Sequence, residues 1–176
     1  KLSALHPRYV RAQRDRVQAE LLPRVARLAA LARGYGIGFN IDAEEADRLD
    51  LSLDILEALA GDPGLADWEG LGFVVQAYQK RGRHVIDWLV ALGRRHRRRL
   101  MVRLTKGAYW DSEIKRAQMD GLPDYPVFTR KVHTDVSYLA AMRYLLAEPQ
   151  AFYPQFATHN AHAIASARVA GGAVEF

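Results

Sequence analysis

The sequence has 176 residues, of which 49% are hydrophobic and 26% are charged. These proportions are ordinary for a globular domain with a core, and they exclude a largely disordered chain. No apolar run approaches the roughly 20 residues that a membrane helix needs, and no long apolar stretch follows the N-terminal residues, so we predict no signal peptide. Cys is absent, so we expect no disulfide framework and no thiolate chemistry, and a cytoplasmic location is compatible with this composition.

The net charge of +5 raises the question of an anionic partner. Much of it comes from the run Arg-Arg-His-Arg-Arg-Arg at 94–99, which follows an apolar helical pattern. Cations are favoured at the C-terminus of a helix, so a solvated helix end explains the run. Binding to nucleic acid or to an anionic membrane surface is the alternative. No aromatic side chain interleaves with these arginines, which weakens the case for single-stranded nucleic acid.

The first predicted elements lie between residues 1 and 42. Lys1–Leu5 has the pattern of the end of a strand. In Tyr9–Arg33 the apolar residues recur at three and four, which predicts a helix in which Pro23 starts a new turn. Two glycines break this pattern, and residues 37–42 then predict a strand.

The later elements continue the alternation of helical and extended patterns. Acidic residues in the first turn and apolar residues on one face predict a helix that ends near Ala60. The segment 71–78 is almost continuously apolar, which is typical of a strand covered on both faces. The remaining patterns predict helices over about 84–99, 111–119, 130–147 and 161–170, and strands over 100–104 and 152–157.

This order amounts to about five strand-then-helix units, which indicates an α/β fold with a parallel sheet and right-handed crossovers. Such a sheet is either open and doubly wound or closed into a (βα)8 TIM-type barrel. The glycine-rich stretch 34–38 precedes a strand, whereas a dinucleotide-binding turn follows one. We therefore favour a barrel, and on that interpretation the chain is incomplete.

Polar residues gather where the predicted strands end, which is where ligands bind in both architectures. These strand-end residues are Asp42, Gln76, Tyr78, Lys106, Gly107, Tyr109, Thr158, His159 and Asn160. Arg103 lies inside a strand, where a long cation must find a partner or water. Together they indicate an anionic ligand, with phosphate as the leading choice.

Structural explanations compete with functional ones at several of these positions. Asp42 could cap the following helix, Arg103 could form a salt bridge to Asp42, and Lys106 before a helix is only a weak phosphate signal. We predict no metal site, because His159 and His162 lack a well-defined third ligand. No strong nucleophile or acid–base pair is evident, which favours an enzyme whose cofactor carries the chemistry.

Six ordered motifs resemble the proline dehydrogenase domain of the bacterial proline utilization A family. The central motif is Arg-Leu-Thr-Lys-Gly-Ala-Tyr-Trp-Asp at 103–111, and the others lie at 1–7, 42–49, 76–78, 125–131 and 156–161. The resemblance covers essentially the whole chain and implies a (βα)8 barrel domain over 1–176 with its last strands and helix missing. It further implies FAD-dependent oxidation of L-proline to pyrroline-5-carboxylate by hydride transfer to flavin N5, with electrons passed to a quinone.

The resemblance also implies roles for individual residues. Asp42 and Arg103 match catalytic positions, and Lys1 and Tyr109 match substrate-binding positions. The positions that match FAD-binding residues are Gln76, Arg103, Lys106, Gly107, Ala108, Trp110, Thr129, Arg130, Lys131, Thr158, His159 and Asn160.

The same resemblance implies partners outside this segment, and it shows departures from the family. The partners are a pyrroline-5-carboxylate dehydrogenase domain elsewhere in the parent chain and a quinone, which brings peripheral contact with the inner membrane. Nucleic acid is not expected to bind through this segment. Thr105 replaces an expected valine, and 171–176 does not match the family's last helix, which supplies an arginine pair for the proline carboxylate. A non-catalytic or partially folded barrel fragment and a basic nucleic-acid-binding module are the alternative functions.

Overall fold

A computed structural model describes residues 1–171 and 174–176. Over these residues the chain forms a parallel sheet with helices between consecutive strands. The strands are β1 (Phe39–Ile41), β2 (Leu71–Gln76), β3 (Leu100–Thr105) and β4 (Phe152–Phe156). The helices are α1 (Arg14–Glu20), α2 (Leu22–Gly34), α3 (Leu49–Ala60), α4 (Gly82–Arg95), α5 (Trp110–Met119), α6 (Lys131–Ala147) and α7 (Ala161–Ala170).

The sheet has the order β1-β2-β3-β4, and every neighbouring pair is parallel. A doubly wound sheet would reverse its strand order at a switch point, whereas each strand here lies beside the next one along the chain. This sequential order is that of a (βα)8 barrel, of which these strands form one part. The choice of a barrel over an open sheet is therefore confirmed.

The two faces of the sheet differ in polarity. Along β3 the buried residues Leu100, Val102 and Leu104 alternate with half-buried Met101, Arg103 and Thr105. The buried set packs into the main apolar cluster with side chains from the helices. The other set faces the interior of the barrel, so polar side chains on that face point into the space that the strands surround.

The first predicted strand is wrong. Leu2–Ala4 forms a 3₁₀ helix in which the Leu5 amide donates to the Leu2 carbonyl. Leu2 is buried, but within the part of the chain that the structure describes no strand lies beside this segment to pair with it. As a result the described residues contain four strand-then-helix units rather than five.

The other predicted elements exist, but some of their ends differ from the prediction. The helix predicted from Tyr9 begins only at Arg14, and the acidic residues predicted for the first turn of α3 precede its first residue, Leu49. The C-terminal end of α4 also differs. This helix ends at Arg95 instead of near Arg99. Arg97 has a left-handed backbone with φ of 49°, and the Arg98 amide donates to the carbonyl of Gly93 at 2.9 Å. The chain must turn sharply there to enter β3, so only the first part of the basic run lies on the helix.

A further parallel contact begins beyond α7. Glu175 pairs with Gln155 of β4, and the Phe156 amide donates to the Glu175 carbonyl at 2.7 Å. The segment 171–176, which we predicted not to match the family's last helix, includes Gly172 and Ala173, and these two lie outside the described residues. Across 1–171 and 174–176, no helix is both long enough and apolar enough to span a bilayer.

Candidate active site

A cavity of about 460 Å³ opens at the carboxyl ends of the strands. It is lined by the first residue, by the carboxyl-terminal parts of β2 and β3, by the loops after β1, β3 and β4 and by the start of α6. Its lining residues are Lys1, Asp42, Ala43, Val74, Gln76, Thr105, Lys106, Gly107, Ala108, Lys131, Ala157, Thr158, His159 and Asn160. Residues that are far apart in the sequence therefore meet at one rim of the sheet, as we expected from the parallel topology.

Lys1, Asp42 and Tyr109 meet at one side of this mouth. The Lys1 ammonium lies 3.2 Å from the Asp42 carboxylate and also contacts the Tyr109 hydroxyl. The hydrogen bond to Tyr109, followed by the attraction of Asp42, raises the pKa of Lys1. A cation and an anion are thus held side by side, and both are about half exposed. This pair matches the charges of a zwitterionic amino acid.

Gln76 connects two of the loops that form the mouth. Its amide nitrogen donates to the carbonyl of Glu44 at 2.9 Å, and its Oε1 accepts from the amide of Ala108 at 3.2 Å. Only 4% of Gln76 is exposed. Both polar groups of its side chain therefore bind backbone groups, so Gln76 holds the two loops in position beside the cavity.

The loop after β1 is fixed from two further directions. The Ser3 amide donates to the Glu44 carboxylate at 3.0 Å, which ties the segment carrying Lys1 to the loop carrying Asp42. On the other side, the Ala46 amide donates to the Glu113 carboxylate of α5 at 2.6 Å. Glu113 is buried, and this burial raises its pKa.

Two lysines share one carboxylate at the opposite side of the mouth. Asp135 of α6 lies 2.5 Å from Lys106 and 2.7 Å from Lys131. The two cations lower the pKa of Asp135, with Lys106 making the larger contribution. Because one anion faces two cations, this cluster retains a positive charge that can attract an anionic ligand.

A second cavity of about 450 Å³ adjoins the first one at this cluster. Lys106, Gly107 and Lys131 line both cavities, and Trp110 and Thr129 line the second. A long ligand could therefore place an anionic centre against the lysines and one end in each cavity.

Arg103 projects from β3 on the face that carries the first cavity. It pairs in register with Val74 on one side and with Gln155 on the other, and Val74 lines the cavity. The salt bridge to Asp42 that we considered is not formed in the part of the chain that the structure describes, because Asp42 pairs with Lys1. Asp42 and Arg103 nevertheless lie toward the same rim.

The remaining predicted residues fall into three groups. Thr158, His159 and Asn160 lie at the mouth, where Asn160 also caps α7 by accepting from the Ala163 amide at 3.0 Å. Trp110 donates to the Phe128 carbonyl at 3.0 Å and thereby joins α5 to the loop before α6. Arg130 lines neither cavity; it is exposed and precedes the first residue of α6.

Sequence reasoning did not identify Glu113 or Asp135 as parts of the site. Asp135 follows Lys131 by four residues on a helix, a spacing that predicts an ion pair. No local pattern signals Glu113, because its partner Ala46 is 67 residues away in the chain. Within 1–171 and 174–176, no three His, Asp or Glu side chains are grouped as they would be around a metal ion.

A parallel barrel segment with a polar, positively charged mouth at its strand ends defines the chain as part of a (βα)8 barrel enzyme. The comparisons with known proteins identify which enzyme family this is. The family model for proline dehydrogenase matches residues 2–174, so the chain belongs to the proline dehydrogenase family.

Several proteins and structures are similar to this chain. The bifunctional proteins PutA of Klebsiella aerogenes and Escherichia coli are each 69% identical over 166 residues, which cover 94% of this chain. A mutant of proline utilization A from Bradyrhizobium japonicum is 53% identical, with a TM-score of 0.97 over 99% of the chain. The enzyme from Bdellovibrio bacteriovorus, inactivated by N-propargylglycine, is 29% identical with a TM-score of 0.91.

These relatives are much longer than this chain. The match spans 13% of the PutA proteins of Klebsiella aerogenes and Escherichia coli and 18% of the Bradyrhizobium japonicum chain. The similarity therefore establishes the family and the barrel fold of this segment.

Proposed function

We propose that this chain forms part of the site at which a longer protein oxidises L-proline to pyrroline-5-carboxylate with FAD. Membership of the proline dehydrogenase family supports the reaction class. The observation that carries the substrate assignment is the Lys1–Asp42 pair, whose atoms lie 3.2 Å apart at the mouth. Proline is a zwitterion, so its carboxylate would bind Lys1 while its ring nitrogen would lie near Asp42.

The cofactor assignment depends on the two adjoining cavities. Lys106 and Lys131 at their junction would hold the pyrophosphate of FAD, and Gly107 leaves its backbone accessible there. When bound, FAD supplies the hydride acceptor, its N5 atom, for the proline carbon next to nitrogen. Arg103 would lie beside the ring system, where its positive charge would favour the reduced, anionic form.

The rest of the parent protein completes this proposal. Further barrel strands would supply the remaining contacts with the proline carboxylate, and a separate domain would oxidise the product, since the similar PutA proteins are named bifunctional. A quinone would accept the electrons, which requires at least peripheral contact with the inner membrane from a cytoplasmic protein.

The test is a visible absorption spectrum of the complete parent protein with excess L-proline. We expect a flavin band that bleaches on addition of proline under anaerobic conditions. Bleaching should be lost or slowed at least 100-fold in Arg103→Met and in Asp42→Ala, because each substitution removes a charge at the reacting centre. Asp124→Ala is the matched control, since Asp124 pairs with Lys80 outside the cavity. A colourless parent protein that is indifferent to FAD would overturn the assignment.

A further inference from the structure

Tyr78 lies directly behind the loop that carries Lys106 and Tyr109, and it has no place in the function proposed above. It follows the end of β2, and only 2% of it is exposed. Its backbone amide donates to the Lys106 carbonyl at 2.8 Å, and its own carbonyl accepts from the Phe128 amide at 2.8 Å. The residue is therefore held firmly by its main chain, independently of its side chain.

The Tyr78 ring supports the loop at Gly107. A Cβ atom at Gly107 would overlap this ring, and Gly107 has a φ of 139° that side chains rarely adopt. The loop can therefore lie against the aromatic face only because residue 107 is glycine. This close approach sets the height of the loop above the strand ends.

The Tyr78 hydroxyl contacts the backbone of Tyr109, which lies beside Lys1 and Asp42. It accepts a hydrogen bond from the backbone amide of Tyr109 at 3.3 Å. Tyr109 precedes the first turn of α5, so its amide has no partner within that helix. The side chain of the same Tyr109 contacts Lys1, which pairs with Asp42.

We propose that Tyr78 is a positioning residue for substrate binding, which acts through Tyr109 by fixing its backbone so that its hydroxyl reaches Lys1. This inference depends on the proposed function, because it assigns Tyr78 an effect on the affinity for proline. The hydroxyl itself does not touch the Lys1–Asp42 pair. Its effect should therefore depend on the presence of the Tyr109 hydroxyl.

The test is a double-mutant cycle in the complete, FAD-loaded parent protein, with kcat and KM for L-proline measured with a dye as electron acceptor. Tyr78→Phe removes one hydroxyl and retains the ring, so the protein should fold normally. We expect the KM for proline to rise roughly three- to tenfold, as for the loss of one hydrogen bond, with a smaller change in kcat. In the Tyr109→Phe background the same substitution should change KM by less than about twofold.

Tyr144→Phe is the matched control for this cycle. It also removes one phenol hydroxyl, which donates to Asp87 at 2.8 Å near the C-terminal end of α6, away from the cavity mouth. We expect it to leave the KM for proline unchanged. An unchanged KM in Tyr78→Phe, or an equal effect of that substitution with and without the Tyr109 hydroxyl, overturns the inference.

A second measurement separates this inference from the proposed function. Hydrogen exchange of a peptide covering residues 104–112, which contains the Tyr109 amide, needs no turnover. We expect faster exchange in Tyr78→Phe than in the wild type or in Tyr144→Phe, because the amide loses its acceptor. If the wild type oxidises no proline while exchange changes as expected, the proposed function fails and the positioning of the loop stands. Unchanged exchange overturns the positioning role itself.

Discussion

Lys106 on the loop after β3 and Asp135 on α6 form an ion pair of 2.5 Å at the junction of the two cavities. Lys131 contacts the other oxygen of the same carboxylate at 2.7 Å. An anionic ligand that binds the lysines must therefore compete with Asp135. This competition makes the affinity of the site for anions sensitive to a residue that does not itself bind them.

We expect Asp135→Asn to tighten the binding of inorganic pyrophosphate roughly three- to tenfold at low salt, because both lysines lose a competing anion. Equilibrium binding to the flavin-free parent protein, measured by calorimetry at two salt concentrations, checks this. Asp124→Asn is the control, since Asp124 pairs with Lys80 outside the cavity. Equal affinities in all three proteins would show that the lysine cluster does not hold the pyrophosphate.

Gln76→Ala should destabilise the barrel by about 2–4 kcal/mol, because it leaves the Glu44 carbonyl and the Ala108 amide without their buried partner. It should also weaken FAD binding, since both loops border the cavity. Thermal melting and flavin retention during gel filtration measure the two effects. Gln118→Ala, which alters an exposed glutamine that contacts Tyr125, should change neither. A variant that melts like the wild type and keeps its flavin would contradict the bridging role of Gln76.

The pH dependence of stability should report on Glu113. Burial raises the pKa of this carboxyl in the folded protein above its usual value of 4.5. As the pH rises from 4.5 through the folded-state pKa, the unfolded chain loses its proton first, so the stability contributed by Glu113 falls. Glu113→Gln avoids this loss and keeps an acceptor for the Ala46 amide, so its melting temperature relative to wild type should increase between pH 4.5 and pH 8. A constant difference would contradict the raised pKa.

Glu113→Ala provides the complementary variant. It removes the acceptor of the Ala46 amide, so relative to Glu113→Gln, which does not titrate either, we expect a loss of about 1–3 kcal/mol that persists throughout this pH range. Because Ala46 follows the loop that carries Asp42, reduced stability should be accompanied by weaker proline binding. Melting curves and the KM for proline, compared with those of Glu113→Gln, separate the loss of the hydrogen bond from the loss of charge.

The basic run 94–99 should not bind nucleic acid with useful affinity. Arg94 pairs with Glu148 at 3.0 Å, and Arg95 pairs with Glu57. Filter binding of single- and double-stranded DNA at 50 and 200 mM salt should therefore show little retention at either concentration. Strong binding that falls steeply with salt would instead support a nucleic-acid-binding module. Glu57→Gln together with Glu148→Gln should increase weak, salt-sensitive binding, because the substitutions leave two arginines without partners.

Most of the secondary structure could be predicted because hydrophobic periodicity is a local property. The continuously apolar pattern of 71–78 predicted β2, in which every residue is buried. The exception was Lys1–Leu5, whose apolar residues suit either a short strand or a 3₁₀ turn. A strand exists only where another strand pairs with it, and no local pattern could show that this segment lies over the strand ends instead.

By itself the sequence determined that polar residues follow successive parallel strands, and parallel topology then requires those residues to meet at one rim. It thereby placed Asp42, Gln76, Lys106 and His159 in one cavity. Only the tertiary structure decided which of these side chains remain accessible to a ligand. Gln76 binds two backbone groups, Lys106 pairs with Asp135, and the Tyr78 hydroxyl accepts from the Tyr109 amide. Each of these contacts joins residues that are 29 to 32 positions apart in the sequence. Such contacts depend on distances across the folded barrel, and local periodicity carries no information about those distances.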